Sequence, residues 1–226
     1  FDGSSVILKL SRDGDVTLIH GESDMGQGQD TVLAQIVAEE LGLRASDIRV
    51  AAVDTEISPF GLGSVSSRGT FFGGNAAKKA GADARRQIFE MAKDLLEANI
   101  EDLCLEDGKI FVKGAPKASI PFQDAVQEFC NRKGGMPIIG MGSYTPNTEI
   151  PDFKTMYGNI SPTYPFACHI AEVEVDQDTG VVRVLRYVAA HDIGKAINPV
   201  MAEGQVQGGI AQGVGFTLTE EIKFDR

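Results

Sequence analysis

The stretch from residue 5 to residue 20, SVILKLSRDGDVTLIH, decides the fold class of this chain. Residues 5–10 and 15–20 alternate apolar with polar side chains, and the segment between them ends in Asp-Gly. Alternation with a period of two, interrupted by Asp-Gly, is the pattern of an antiparallel β-hairpin. Two further hairpins are predicted from similar patterns, over residues 103–112 around Asp-Gly and, longer, over residues 166–190 around Thr-Gly.

Apolar residues at helical spacing predict helices over residues 30–41, 75–100, 121–132 and 199–218. A strand is predicted over residues 47–53, and segments rich in Gly, Ser or Pro predict irregular structure over residues 58–74 and 134–164. Hairpins interleaved with helices favour an α+β fold, in which antiparallel β-hairpins and sheets pack against helices. The chain is long enough for one domain over residues 1–226, which could divide into subdomains 1–132 and 133–226.

Composition and charge disfavour several classes of partner. The formal net charge of −11 argues against nucleic acid and anionic membranes. No apolar run reaches the roughly 18 to 20 residues that a membrane-spanning helix needs. Cys104, Cys130 and Cys168 form no CxxC pair, so we expect three reduced, buried thiols in a cytoplasmic protein. The chain begins without Met and ends in a strand-like run, so we expect it to be a piece of a longer protein.

The segment between the first hairpin and the first predicted helix is GESDMGQGQD, residues 21–30. Gly26 and Gly28 flank Gln27, and glycine lets backbone N–H groups approach a bulky acceptor such as a phosphate. The Gln27 amide offers one acceptor and two donors, and the start of a helix favours an anion. From this tripeptide alone, an ordinary turn with an exposed glutamine remains the alternative.

A second glycine-rich segment, SPFGLGSVSSRG, precedes the next predicted helix. Gly61, Leu62, Gly63 and Ser64 form a run of mostly small residues that suits a phosphate or a pterin-like ligand, with Arg68 as a counter-charge. A mobile surface loop is the alternative interpretation.

The predicted helix over residues 199–218 contains five glycines, and Asn198 is positioned to cap it. Glycine costs about 1 kcal/mol per helical site relative to alanine, so this number needs a reason. Close packing of another backbone, or of a ligand, is the usual one. Gln205 and Gln212 share one face of this helix, and small residues lie beside Gln205.

The remaining sequence supports no other catalytic class. His20, His169 and His191 are not at metal-ligand spacing, so we expect structural roles in the core or at a sheet edge. The sequence contains neither a GxSxG elbow nor a GxxxxGK[ST] phosphate loop, and no GxGxxG follows a predicted strand.

Three segments, taken in order, carry a resemblance to a known family. GESDMGQG, SPFGLGSVSSRG and HDIGKAINPVMAEGQVQGGIAQGVGFTLTEE resemble segments of the xanthine dehydrogenase and aldehyde oxidase family of molybdenum hydroxylases. The resemblance covers nearly the whole chain and is most specific in the last segment. It implies the molybdopterin-binding region of an oxidoreductase that hydroxylates a heterocycle or an aldehyde with oxygen derived from water.

The resemblance also implies a role for each matching residue. Gln27 would lie beside the molybdenum or the pterin, with Gly26 and Gly28 allowing the approach. Residues 61–64 would contact the phosphate or the pterin, and Gln205 would bind the pterin from the far side. No protein ligand to the metal is expected, because the pterin dithiolene holds the molybdenum.

The implied partners are the rest of a molybdenum subunit, iron–sulfur and FAD subunits or domains, and a small-molecule substrate. In many bacterial members the cofactor carries a cytosine dinucleotide tail. The family's catalytic glutamate and its substrate-binding arginine match nothing in this sequence. We therefore assign no catalytic residue and expect the isolated chain to be inactive and to bind cofactor weakly. Two alternatives remain: a noncatalytic structural or assembly module, and part of an aromatic thioester reductase of the hydroxybenzoyl-CoA type.

Overall fold

The computed structural model of the chain describes residues 3–149, 151–159 and 161–225, and within them the α+β fold predicted from the sequence is confirmed. The strands are β1 (Ser4–Leu10), β2 (Val16–His20), β3 (Ile48–Val50), β4 (Leu103–Glu106), β5 (Lys109–Val112), β6 (Ala115–Pro121), β7 (Ile138–Tyr144), β8 (Phe166–Val175) and β9 (Val182–Asp192). The helices are α1 (Gln29–Glu40), α2 (Gly69–Leu96), α3 (Phe122–Arg132) and α4 (Pro199–Leu218).

The largest sheet has the strand order β3-β2-β1-β7. β1 pairs antiparallel with both β2 and β7, whereas β2 and β3 run parallel. Alternate residues of β1, namely Val6, Leu8 and Leu10, are buried, so the first predicted hairpin is confirmed together with its inward face. These side chains share one hydrophobic core with residues of α1 and α2.

β7 corrects the prediction that residues 134–164 are irregular. Gly140 and Gly142 of this strand meet α2, and a Cβ on Gly142 would lie 2.1 Å from the carbonyl oxygen of Ala76. Glycine lets the strand and the helix backbone approach, and its presence also hides the strand from a pattern based on β-branched residues. β7 pairs with β1, and the chain forms two compact units, Phe1–Ile150 and Pro151–Arg226.

α2 begins at Gly69, earlier than the predicted residue 75, and other groups closely approach the glycines near its start. A Cβ on Gly73 would lie 2.8 Å from Cγ of Glu22, and one on Gly81 would lie 2.7 Å from Cβ of Glu40. These glycines, which weaken the helical pattern in the sequence, are the positions where α2 packs against the loop after β2 and against α1.

A smaller sheet has the order β4-β5-β6. β4 and β5 confirm the hairpin predicted over residues 103–112, and α3 confirms the helix predicted over residues 121–132. β6 is a strand that the sequence pattern does not predict, since APKASIP lacks alternation. β3 is shorter than the strand predicted over residues 47–53.

The second unit contains β8, β9 and α4. β8 and β9 pair antiparallel, so the long predicted hairpin is confirmed. Oδ1 of Asn198 accepts the N–H of Met201 at 3.1 Å, which confirms the predicted helix cap. None of the described residues of this unit is buried.

The cysteines are free thiols, as expected, but their burial differs from the expectation. Cys130 is buried, Cys104 is partly buried and Cys168, on β8, is exposed. Separately, no helix in the described part of the chain is both long enough and apolar enough to cross a membrane.

Candidate functional site

The loop between β2 and α1 carries the first candidate segment. Gly26 and Gly28 have positive φ angles of 108° and 83°, and Gly28 caps the start of α1. The Asp24 carboxylate accepts the backbone N–H groups of Gly26 at 2.8 Å and of Asp30 at 3.1 Å. Partial burial disfavours its charge, but these backbone donors outweigh burial and hold the pKa of Asp24 below its usual range. The Asp24 carboxylate therefore occupies the start of α1, where the sequence had predicted that an anionic ligand could bind.

The side chain of Gln27 ties this loop to the second candidate segment. Its Nε2 donates to the carbonyl oxygen of Ser23 and to Oγ of Ser64, each at 2.8 Å, and its Oε1 accepts the N–H of Met25 at 2.6 Å. Ser64 in turn donates to the carbonyl oxygen of Ser23. Both Nε2 hydrogens are used, whereas Oε1 keeps one lone pair for a further donor. Two predicted site residues, 37 positions apart, thus lie in direct contact.

The second candidate segment, residues 58–69, packs against the first through backbone atoms of glycine. A Cβ on Gly61 would lie 2.5 Å from the carbonyl carbon of Gly21, so a side chain at this position would separate the two loops. Gly63 has a φ angle of 88°, and Leu62 is 50% exposed. The glycines at positions 21 and 61 are therefore explained by the contact between the loops, while Leu62 remains on the surface.

Arg68 does not serve as the counter-charge that the sequence predicted for a phosphate. It is 3% exposed, and its Nη1 donates to both carboxylate oxygens of Glu22, at 2.9 and 2.7 Å. The prediction is wrong because a carboxylate of the same core already neutralises the guanidinium.

The two loops leave open space beside Gly26. No described atom lies within 4 Å of a Cβ built on Gly26, and the neighbouring Met25 is 74% exposed. Gln29, which follows the loop, is 4% exposed, and its buried Nε2 has no hydrogen-bond partner among the described residues. In that same part of the chain, no group of three or more His, Cys, Asp or Glu side chains is arranged to hold a metal ion. The open space at Gly26 and the unused lone pair of Gln27 Oε1 leave room and one hydrogen-bond acceptor for a bound ligand.

The third candidate residue, Gln205, is exposed on α4 in the second unit. The sequence predicted that something packs closely on the glycines of this helix. For Gly204, Gly208, Gly209 and Gly213, no described atom outside the helix's own turns lies within 4 Å of an added Cβ. Nothing described in this unit therefore explains these glycines.

His20 lies in the core, as the sequence predicted for at least one histidine, whereas His169 and His191 form a contact that the sequence pattern did not indicate. His20 is fully buried, and burial lowers its pKa although Asp30 and Glu22 oppose that shift. On the exposed hairpin of β8 and β9, the Nε2 atoms of His169 and His191 lie 2.7 Å apart. The pairing register places these residues diagonally on one face, and only that register could have revealed the contact beforehand.

Two acidic residues of the first loop, Glu22 and Asp24, were not singled out from the sequence. Asp24 had a detectable signal, because an Asp shortly before a helix start is a frequent partner of the first N–H groups. Glu22 had none, since its partner Arg68 lies 46 positions away.

Comparison with known proteins identifies related chains over the full length. The sequence matches the model of the molybdopterin cofactor-binding domain over residues 1–226. It is 36% identical over 218 residues to the gamma subunit of the 6-hydroxypseudooxynicotine dehydrogenase complex of Paenarthrobacter nicotinovorans, covering 96% of this chain and 26% of that protein. It is 31% identical over 223 residues to the carbon monoxide dehydrogenase large chain of Afipia carboxidovorans, covering 98% and 26%.

Solved structures have the same fold. Quinoline 2-oxidoreductase from Pseudomonas putida 86 superposes with a TM-score of 0.84 at 32% identity, over 99% of this chain and 27% of that one. The Cu,Mo-CO dehydrogenase superposes with a TM-score of 0.83 at 29% identity, over 98% and 27%. The chain thus spans about a quarter of the length of the relatives that it matches.

Proposed function

Because this chain belongs to the molybdopterin cofactor-binding domain family of xanthine dehydrogenase-like and carbon monoxide dehydrogenase-like molybdenum hydroxylases, we propose that its two glycine-rich loops contact the molybdenum cofactor. The observation that carries the proposal is the hydrogen bond from Gln27 to Ser64, which holds the two loops side by side. The open space at Gly26 supports it.

Each part of the two loops would have its own task. Gly26 and Gly28 would leave clearance for the pterin, and Gln27 would accept a hydrogen bond through the free lone pair of Oε1. Residues 61–64 would contact the pterin or its phosphate, and Gln205 would bind the pterin from α4. When bound, the cofactor supplies two-electron oxidation–reduction chemistry, and the residues of this chain bind and orient it.

For the whole protein we propose hydroxylation of a heterocycle or an aldehyde. Heterocycles are favoured because relatives include a nicotine 6-hydroxylase and a quinoline 2-oxidoreductase. The proposed partners are iron–sulfur and FAD subunits or domains, since relatives are named as subunits or large chains of complexes. A cytosine dinucleotide form of the cofactor is part of the same proposal.

The test compares two glycine substitutions in the assembled enzyme, purified from a host that makes the cofactor. Gly26 and Gly135 both have positive φ angles, 108° and 91°, and both have open space where a Cβ would stand. Gly26→Ala and Gly135→Ala therefore impose similar backbone strain, but only the first lies in the proposed cradle. We expect molybdenum and pterin content to fall in Gly26→Ala and to stay at the wild-type level in Gly135→Ala. Wild-type enzyme without molybdenum, or equal content in both variants, would contradict the proposal.

The chain by itself is proposed to bind the cofactor weakly and to have no turnover. It spans about a quarter of its relatives, and the two carboxylates of its first loop are already engaged, Glu22 with Arg68 and Asp24 with the start of α1. Tight, stoichiometric pterin binding by the purified chain would oppose this proposal.

A further inference from the structure

A buried cluster of charged and polar groups lies behind the two loops. It consists of Glu22, Arg68 and Ser4, which are 1%, 3% and 2% exposed. Charged side chains are almost never this deeply buried unless they are paired. The proposed cofactor contacts do not use any member of this cluster, so its presence needs a separate explanation.

The guanidinium of Arg68 reaches three separate segments of the chain. Nη1 donates to both carboxylate oxygens of Glu22, at 2.9 and 2.7 Å, and to the carbonyl oxygen of Gly63 at 3.1 Å. Nη2 donates to the carbonyl oxygen of Gly3 at 2.7 Å and to Oγ of Ser4 at 2.8 Å. The start of β1, the loop after β2 and the second glycine-rich loop therefore converge on one side chain.

Neighbouring groups leave this cluster little freedom to rearrange. Ser4 Oγ donates to Oε1 of Glu22, and the guanidinium carbon of Arg68 lies 4.6 Å from the ring centroid of Phe72. A Cβ on Gly73 would lie 2.8 Å from Cγ of Glu22, so α2 closes over the carboxylate. The guanidinium of Arg68 is planar and is bound on several sides, so it fixes the orientation of the groups that it binds as well as neutralising Glu22.

Glu22 and Gly63, which Arg68 binds, each directly precede a serine that takes part in the hydrogen bonds between the two loops. Glu22 precedes Ser23, whose carbonyl oxygen accepts from both Gln27 and Ser64. Gly63, whose carbonyl oxygen is bound by Arg68, precedes Ser64. Stability alone does not require such a pair, because well-packed apolar residues often replace a buried ion pair without loss of stability.

We infer that Glu22 and Arg68 are positioning residues, which set the spacing of the two glycine-rich loops so that the cofactor is retained. This inference rests on the proposed function, since it concerns the same site. Groups that orient the direct contacts of a metal centre commonly change affinity by about 10- to 100-fold when they are removed.

The decisive variant replaces both partners, Glu22→Leu with Arg68→Met, in the assembled enzyme. We expect Arg68→Met alone to lower the melting temperature, because it leaves Glu22 buried without its partner, and we expect the double variant to return close to wild type. We expect cofactor retention after extended dialysis, measured as molybdenum and pterin per subunit, to stay about tenfold lower than in wild type. A purely structural pair would recover both quantities together.

Arg68→Lys and a control pair complete the test. Lysine keeps the charge opposite Glu22, but one ammonium cannot reproduce the fork, so we expect a folded enzyme with weakened retention. The control Glu40→Leu with Arg85→Met removes another ion pair between α1 and α2, away from the loops, and should retain cofactor fully.

The outcomes separate the two proposals. Wild-type enzyme without molybdenum overturns the proposed function, and this inference falls with it. Molybdenum in wild type together with full retention in a folded double variant overturns the positioning role alone. If the double variant does not fold, Arg68→Lys decides: full retention overturns the positioning role, and weakened retention supports it.

Discussion

The two units of the chain use glycine in opposite ways. In the first unit, Gly142 stands where two backbones meet, and a Cβ there would lie 2.1 Å from the carbonyl oxygen of Ala76. In the second unit, Gly208 and Gly213 of α4 have no described atom outside their own helix within 4 Å of an added Cβ. One set of glycines is explained by the unit that contains it, and the other set is not.

Charge and burial show the same contrast. The first unit buries Glu22 and Arg68 against each other, so each of these two buried charges has its partner inside the unit. The second unit buries none of its described residues, and Phe166 and Val200 are 74% and 79% exposed. Glycines that each cost about 1 kcal/mol in a helix are retained when a close contact requires them. The described residues of the second unit therefore do not account for the glycines of α4.

The largest expected effect tests the first half of this contrast. Gly142→Ala forces a methyl group into the backbone of α2, so we expect the free energy of unfolding to fall by about 3 kcal/mol, at the upper end for overpacking. Urea denaturation of the purified chain measures it. Met141→Ala, at the neighbouring position of β7 that is 63% exposed, is the control and should have little effect. Equal effects of the two substitutions would show that β7 and α2 are not closely packed.

The same substitution in α4 should have the opposite sign. Gly208→Ala fills open space and raises helix propensity, so we expect it to stabilise the purified chain by up to about 1 kcal/mol. In the assembled enzyme we expect it to lower molybdenum content, because the added methyl group would then occupy space that the proposed contact of α4 with the pterin needs. Far-ultraviolet circular dichroism during unfolding and metal analysis give the two readings. A lower free energy of unfolding for the purified chain, or unchanged molybdenum content in the enzyme, would contradict the proposed difference between the glycines of α4 and those of the first unit.

The smallest expected effect is a dependence of stability on pH, which we expect from the buried imidazole of His20 and not from the exposed imidazole of His169. Burial lowers the pKa of His20, so the unfolded chain binds a proton more readily than the folded one. Stability is then constant well above pH about 6.5 and declines as pH falls from there towards the lowered pKa. Asp30 and Glu22 oppose the shift, which keeps the decline small.

Stability measured against pH in two variants checks this expectation. His20→Leu should remove the decline, whereas His169→Gln, on the exposed hairpin, should retain it. A decline that persists unchanged in His20→Leu would show that other groups cause it.

The hairpins and the segment order were predictable because they depend on local patterns. Alternation around Asp-Gly identified β1 and β2, alternation around Thr-Gly identified β8 and β9, and Asn198 identified the start of α4. β7 and the first turns of α2 were missed for one shared reason. Their glycines weaken the local pattern, and the benefit of those glycines exists only where the strand and the helix meet.

The sequence by itself determined the fold class, the family and which segments form the candidate site, because turn chemistry, side-chain periodicity and motif order are carried by neighbouring residues. Only the tertiary structure decided that Gln27 contacts Ser64, and that Arg68 is bound to Glu22 rather than left for a phosphate. Those contacts join residues 37 and 46 positions apart. Their partners are selected by burial and by the shared packing of strands and helices, which no local pattern contains.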